Sequence, residues 1–192
     1  SNVGVYDPEM STYTSGPAHG ETGTHDFAGA ALAPTGDVIF APWGSNNVGI
    51  YDPVNETYTS GASHGEGYAF WGAAVAPTGD VIFAPSGSGN VGIYDPETDP
   101  YTSGASHGEG NSAFRGVAVA PTGDLIFAPY NSSSVGIYDP VDDTYTSGPT
   151  HGEGSYAFNG ATVAPTGEVV FSDFQATANG IYDPRNNTYR TL

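Results

Sequence analysis

The sequence has no cysteine and no lysine, and its only arginines are Arg115, Arg185 and Arg190. Without cysteine there is neither a disulfide framework nor a thiolate metal site. Three cations stand against 21 Asp and Glu, a formal charge of −18. Such a chain cannot neutralise a row of phosphates, which excludes nucleic acid as a partner, and it is repelled by an anionic membrane surface. No apolar run approaches the ~20 residues of a spanning helix and no signal peptide is visible, so membrane insertion is not expected. Helical periodicity is missing too: no stretch holds apolar residues at the 3.6-residue spacing long enough for a helix.

What is abundant is Gly (28), Pro (15) and Tyr (13), and these recur in order. The phrase Val-Gly-Ile/Val-Tyr-Asp-Pro occurs at Val3–Pro8, Val48–Pro53, Val91–Pro96 and Val135–Pro140, with an altered copy at Gly180–Pro184. Its tyrosines, Tyr6, Tyr51, Tyr94, Tyr138 and Tyr182, are separated by 45, 43, 44 and 44 residues. A second phrase, Ala-Pro-Thr-Gly-Asp/Glu, starts at Ala33, Ala76, Ala120 and Ala164. The chain therefore reads as one repeat domain over residues 1–192, with copies near 2–46, 47–89, 90–133 and 134–178 and a partial copy at 179–192.

Each copy holds four short apolar pieces, here named a to d. In the second they are Phe70–Ala76, Asp80–Ala84, Val91–Tyr94 and Tyr101–Ser103. All are β-branched or aromatic and bounded by Gly, Pro, Asn or Asp, the signature of strands. Pro-Thr-Gly suits a tight a–b hairpin with the glycine left-handed, and Asp-Pro suits a longer c–d hairpin whose Asp bonds the backbone ahead of it. Small residues fill piece a (Gly29-Ala30-Ala31, Gly72-Ala73-Ala74), as an innermost strand near a crowded axis requires, while the tyrosines fall on outer strands. The expectation is an all-β chain: a β-propeller of four-stranded antiparallel blades, four to five of them, about 44 residues per repeat. A β-solenoid is the rival, but its rungs are shorter and do not favour tight hairpins. Five c–d and four a–b hairpins leave the blade count open. The chain reads as a five-bladed ring short of one inner hairpin, as four closed blades with a spare hairpin, or as a segment of a longer array.

The order Asp80–Pro85, Val91–Pro96, Tyr101–Thr102 resembles the Kelch-type propeller repeat, and the likeness runs through nearly the whole chain. It departs in two places: Ala-Pro stands for the double glycine after strand b, and Tyr stands for Trp after the threonine. The resemblance implies architecture and, weakly, binding; it implies no activity.

Strands running outward from a to d put the b–c loops and the d-to-a connections on one face, which therefore carries every long loop. There, a scaffold that is otherwise constant varies at two places. After the Phe that opens strand a come Ala28, Trp71, Arg115 and Asn159; after strand b come Trp43, Ser86, Tyr130 and Phe174. The candidate ligand residues are Trp43, Trp71, Tyr130, Arg115 and Asn159, exposed aromatics beside polar groups that suit a glycan or a protein partner; the competing reading is that Trp and Tyr fill space between loops. The same face carries His19, His64, His107 and His151, each in a His-Gly-Glu triplet. Two ligands per copy are too few for a metal, so these are weak metal candidates and otherwise locks between blades. His25 and Asp26 occur only in the first copy, with nothing further to support a site.

No cofactor motif and no Ser/His/Asp order is present. A non-catalytic extracellular binding module is the expected function, with a carbohydrate or protein ligand; the lysine-free acidic surface suits an extracellular or saline setting. The alternatives are a structural repeat segment of a larger fibre or coat, self-assembling through its repeats, and a propeller glycosidase or lyase using Asp173 with Arg115 and a His.

Overall fold

The computed structural model describes all residues 1–192 and contains 18 β-strands and no helix. An outer hairpin of β1 (Asn2–Asp7) and β2 (Thr12–Ala18) comes first. Blade 1 follows with β3 (Phe27–Leu32), β4 (Val38–Pro42), β5 (Asn47–Asp52) and β6 (Thr57–Ser63). Blade 2 comprises β7 (Phe70–Val75), β8 (Val81–Pro85), β9 (Asn90–Tyr94) and β10 (Tyr101–Ser106). Blade 3 comprises β11 (Phe114–Val119), β12 (Leu125–Pro129), β13 (Ser134–Asp139) and β14 (Thr144–Thr150). Blade 4 comprises β15 (Phe158–Val163), β16 (Val169–Asp173), β17 (Gly180–Asp183) and β18 (Thr188–Thr191). Every sheet is antiparallel and ordered as the chain runs, so each sheet straddles two of the copies as counted from the Tyr-Asp-Pro phrase.

The turns form as their residues dictate. Gly36, Gly79, Gly123 and Gly167 take φ of 94°, 98°, 98° and 86°, the left-handed conformation the a–b hairpin needs. In the c–d hairpin of blade 1, Asp52 Oδ1 accepts the N–H groups of Val54 (2.8 Å) and Asn55 (3.0 Å). Four of the five Tyr-Asp-Pro tyrosines are buried, and two of them, Tyr94 and Tyr138, are 1% exposed and donate to Asp99 and Asp143. Burial, and then those carboxylates, push both phenol pKa values up.

Three apolar cores lie between blades rather than within them. Ile39, Ala41 and Val48 of blade 1 meet Phe70, Phe83 and Tyr94 of blade 2. The same residue types recur between blades 2 and 3 and between blades 3 and 4. Fully burying one such Phe is worth about 1.5–3 kcal/mol. Inner strand β3 packs on β7, β7 on β11 and β11 on β15. Glycine makes that approach possible: a Cβ on Gly72 would lie 2.4 Å from the Arg115 carbonyl oxygen, and one on Gly116 2.6 Å from the Ala161 nitrogen. The sheets do not close on one another, so of the three readings neither four closed blades nor a five-bladed ring describes these residues. What stands is an open fan of four blades with an outer hairpin at one edge.

Candidate ligand face at the inner rim

The two variable positions are brought together by one backbone contact repeated in every blade. The residue after strand b donates its N–H to the carbonyl just ahead of strand a: Trp43 to Asp26 (2.9 Å), and Ser86, Tyr130 and Phe174 to Ala69, Ala113 and Ala157 (2.8 Å each). The rims of strands a and b therefore stand side by side.

A row of rings results, with one cation in it. Trp43 of blade 1 meets Trp71 of blade 2 edge-on at 5.0 Å. The Arg115 guanidinium lies 3.9 Å from the Trp71 ring centre and 3.6 Å from that of Tyr130, held between their faces. Its Nη1 donates to Asn159 Oδ1 at 2.9 Å, while its buried Nε has no partner. Burial pushes the guanidinium pKa below its ordinary value. All five candidates thus converge, but in unequal roles. Tyr130, expected to be exposed, is 7% exposed because Arg115 covers one face and Tyr156 and Phe174 pack around it.

Tyr68 and Tyr156 escaped the sequence reading, and His25, noted there without support for a site, joins them on this face. Each lies two residues before its strand-a Phe, as does Ser112, and all four are left-handed, with φ of 63° at His25, 55° at Tyr68, 53° at Ser112 and 61° at Tyr156. Bulky residues with positive φ are uncommon and strained. Tyr68 packs edge-on against Trp43 (5.4 Å) and is 55% exposed; Tyr156 packs likewise against Tyr130 (5.1 Å) and is 44% exposed. Variation between copies, the signal that singled out Trp71 and Arg115, was present here as well.

Two concavities open on the row. One of about 380 Å³ is lined by His25, Phe27, Ala28, Trp43 and Trp71. The other, about 210 Å³, lies over the inner strands and includes Ala28, Trp71, Arg115 and Asn159. Trp71 borders both.

The repeated histidines act as clasps. His64, His107 and His151 donate from Nε2 to the carbonyls of Ser45, Ser88 and Ser132 in the preceding blade, at 3.0, 2.8 and 2.8 Å. Their Nδ1 atoms accept the N–H groups of Glu66, Glu109 and Glu153. The carboxylates reach forward: Glu21 accepts from Ser45, Tyr58 and Ser60, and Glu109 from Ser132, Tyr145 and Ser147. One triplet thus ties the blade behind to the blade ahead, and no three His, Asp or Glu side chains gather as a metal site. Asp173 is exposed and its N–H donates to Asn179; the one ion pair in the protein joins Arg190 to Glu168, so Asp173 and Arg115 form no pair.

No protein-family model and no curated protein sequence matches the chain. Solved structures do. Virginiamycin B lyase from Staphylococcus aureus superposes with a TM-score of 0.75 at 16% identity, over 88% of this chain and 56% of that one. Its catalytically inactive histidine-to-alanine form with quinupristin gives 0.72 at 17%, over 90% and 59%. An auxiliary nutrient binding protein from Bacteroides ovatus gives 0.69 at 14%, over 98% and 47%. The chain spans about half the length of these structures, and the likeness establishes the propeller-like fold alone.

Proposed function

We propose that the chain is a non-catalytic binding module, acting outside the cell, that receives a sugar ring on the rim formed by Trp43, Trp71, Arg115 and Asn159. The observation that carries this reading is the row of rings itself. These positions are not needed by the repeat, yet they adjoin, open onto two concavities, and are flanked by strained tyrosines. Tryptophan faces supply apolar contact for a sugar, while Arg115 and Asn159 supply hydrogen bonds. The resemblance of the repeat to the Kelch type fits this use, and so does the fold likeness to a nutrient binding protein.

The test is a glycan array followed by titration of intrinsic tryptophan fluorescence. Trp71→Ala and Trp43→Ala are each expected to weaken the best array ligand about tenfold, some 1.4 kcal/mol. Unchanged affinity in both variants would move the site elsewhere.

A propeller lyase is the second reading, favoured by the fold shared with virginiamycin B lyase and by His25, an exposed imidazole beside Trp43 and Trp71. Eliminative cleavage of the array ligand, lost in His25→Ala, would replace the first reading with this one.

A further inference from the structure

We infer that the ligand of this rim carries a carboxylate and that Arg115 receives it, so that the site selects an acidic sugar, a uronate, over its neutral counterpart. The inference rests on the binding reading above and adds the chemical class of the ligand.

The argument begins from what Arg115 lacks. The protein has 21 acidic side chains and three arginines, so carboxylates outnumber guanidinium groups sevenfold. Arg190 has found one in Glu168, and exposed Arg185 donates to the Thr166 carbonyl. Arg115 has no carboxylate, although it is the most enclosed of the three. Its partner is the neutral amide of Asn159, and its Nε–H is buried with none. A guanidinium has five N–H donors in a planar fork that matches a carboxylate edge to edge. Trp71 and Tyr130 cover the two faces of that plane and hold the fork in place. Stacking fixes the orientation in advance, which lowers the ordering cost on binding.

The surroundings agree. At the position equivalent to Arg115, blade 1 carries Ala28, which leaves the space opposite the guanidinium to the shared concavity. A pyranose ring in that concavity, beside Trp71 and Ala28, would bring a carboxylate substituent to the fork, and Trp43 extends the apolar lining in the adjoining one. Burial lowers the Arg115 pKa because the charge is poorly solvated, a cost that an incoming anion relieves. In an environment so acidic, a cation left unpaired at the rim of a concavity is a receptor for an anion from outside.

The experiment is isothermal titration of the intact protein with oligomers of galacturonate, glucuronate and mannuronate, each beside its methyl ester. The expected result is that at least one acid binds about tenfold or more tighter than its ester, a difference of some 1.4 kcal/mol or more. Arg115→Gln should erase that preference, bringing acid and ester to the same affinity, and Arg115→Lys, which keeps the charge and loses the fork, should retain part of it. Because the acid–ester comparison is made on the unaltered protein, it stands even if the variants fold poorly. Equal affinity for an acid and its ester overturns the inference and leaves the binding reading in place. Binding of neutral glycans from the array but of none of these oligomers also overturns it, and binding of no glycan at all removes both.

Discussion

The two ends of the fan have opposite chemistry. Each interior blade carries two apolar sides, one of Ile, Ala and Val and one of Phe and Tyr, and each is covered by a neighbour. Blade 4 keeps its ring side, with Phe158, Phe171 and Tyr182 buried against blade 3. On its far side the pattern changes. Where the other blades have Ala31, Ala74 and Ala118 it has Thr162; where they have Ala41, Ala84 and Ala128 it has Ser172; and Asn179 replaces Val48, Val91 and Val135. Thr162 and Ser172 are exposed, and with Asn179 they line a shallow groove. At the opposite edge no such exchange has occurred. Tyr6 and Tyr13 keep the interior identity while 61% and 71% exposed, and Phe27 and Phe40 line a cavity of about 420 Å³. Repeats that meet water take a polar outer side, and only one end of this fan has done so. The comparison teaches that strand identity here is set by what lies across from each side, not by the strand alone.

The sharpest way to break the comparison is to remove equivalent rings. Phe114, fully buried between blades, should cost about 3–5 kcal/mol on Phe114→Ala. Phe27→Ala, at the half-buried edge, should cost less than half of that. Chemical denaturation measures both, and equal costs would mean that the edge is as well packed as the interior.

A smaller contrast is expected at the clasps. His64→Ala strands the Ser45 carbonyl and the Glu66 N–H, a loss of about 1–3 kcal/mol. The His19 ring bonds only the Glu21 N–H, so His19→Ala should cost under about 1 kcal/mol. The pH dependence sharpens this. Burial holds the His64 pKa below its ordinary value, so the neutral ring is the form the fold accepts. Its contribution is complete above the unfolded value of about 6.5 and is lost as pH falls through the folded one. The penalty of His64→Ala should therefore shrink below about pH 6.5; a constant penalty down to pH 5 would show that the ring's charge state does not matter.

The polar end can be rewritten. Thr162→Ala, Ser172→Ala and Asn179→Val together restore an interior side facing water. Sedimentation should then show association that grows with concentration and exceeds that of the unaltered chain. A triple variant that behaves as the parent would mean that these three residues do not govern exposure at blade 4.

The repeat, the four strands, the turn types and the small inner strand were legible in the sequence because each depends on local chemistry repeated in several copies. The candidate rim was legible for a different reason: Trp71, Arg115 and Asn159 vary where the scaffold is constant. The missed parts needed neighbours. That Tyr130 is covered depends on Arg115 folding over it, and the strain at Tyr68 depends on a backbone angle that no pattern of residue types reveals. Closure of the ring was illegible as well, since it depends on how far successive sheets rotate. The polar side of blade 4 was readable in principle from Thr162, Ser172 and Asn179, once the copies are aligned by strand and by side.

The smallest expected effect concerns charge, which the two ends should share. The carboxylates sit at the c–d turns and connections of every copy, Asp52, Asp95, Asp139 and Asp183 among them, so self-repulsion is spread along the fan. With a formal charge of −18 and a single ion pair, screening has repulsion to relieve and little attraction to weaken. At ~0.1 M salt the screening length is about 10 Å, so distant like charges cease to act on one another. The melting temperature should rise from dilute buffer to molar sodium chloride by a few degrees, corresponding to about 1 kcal/mol. The same rise is expected in Phe27→Ala, because the ring it lacks carries no charge and the acidic turns are untouched. A larger gain in Phe27→Ala than in the parent would place the repulsion at the open edge, where Tyr6 and Tyr13 already face water without a covering blade. A flat or falling curve in both would show that the acidic turns hold their charges far enough apart to cost nothing.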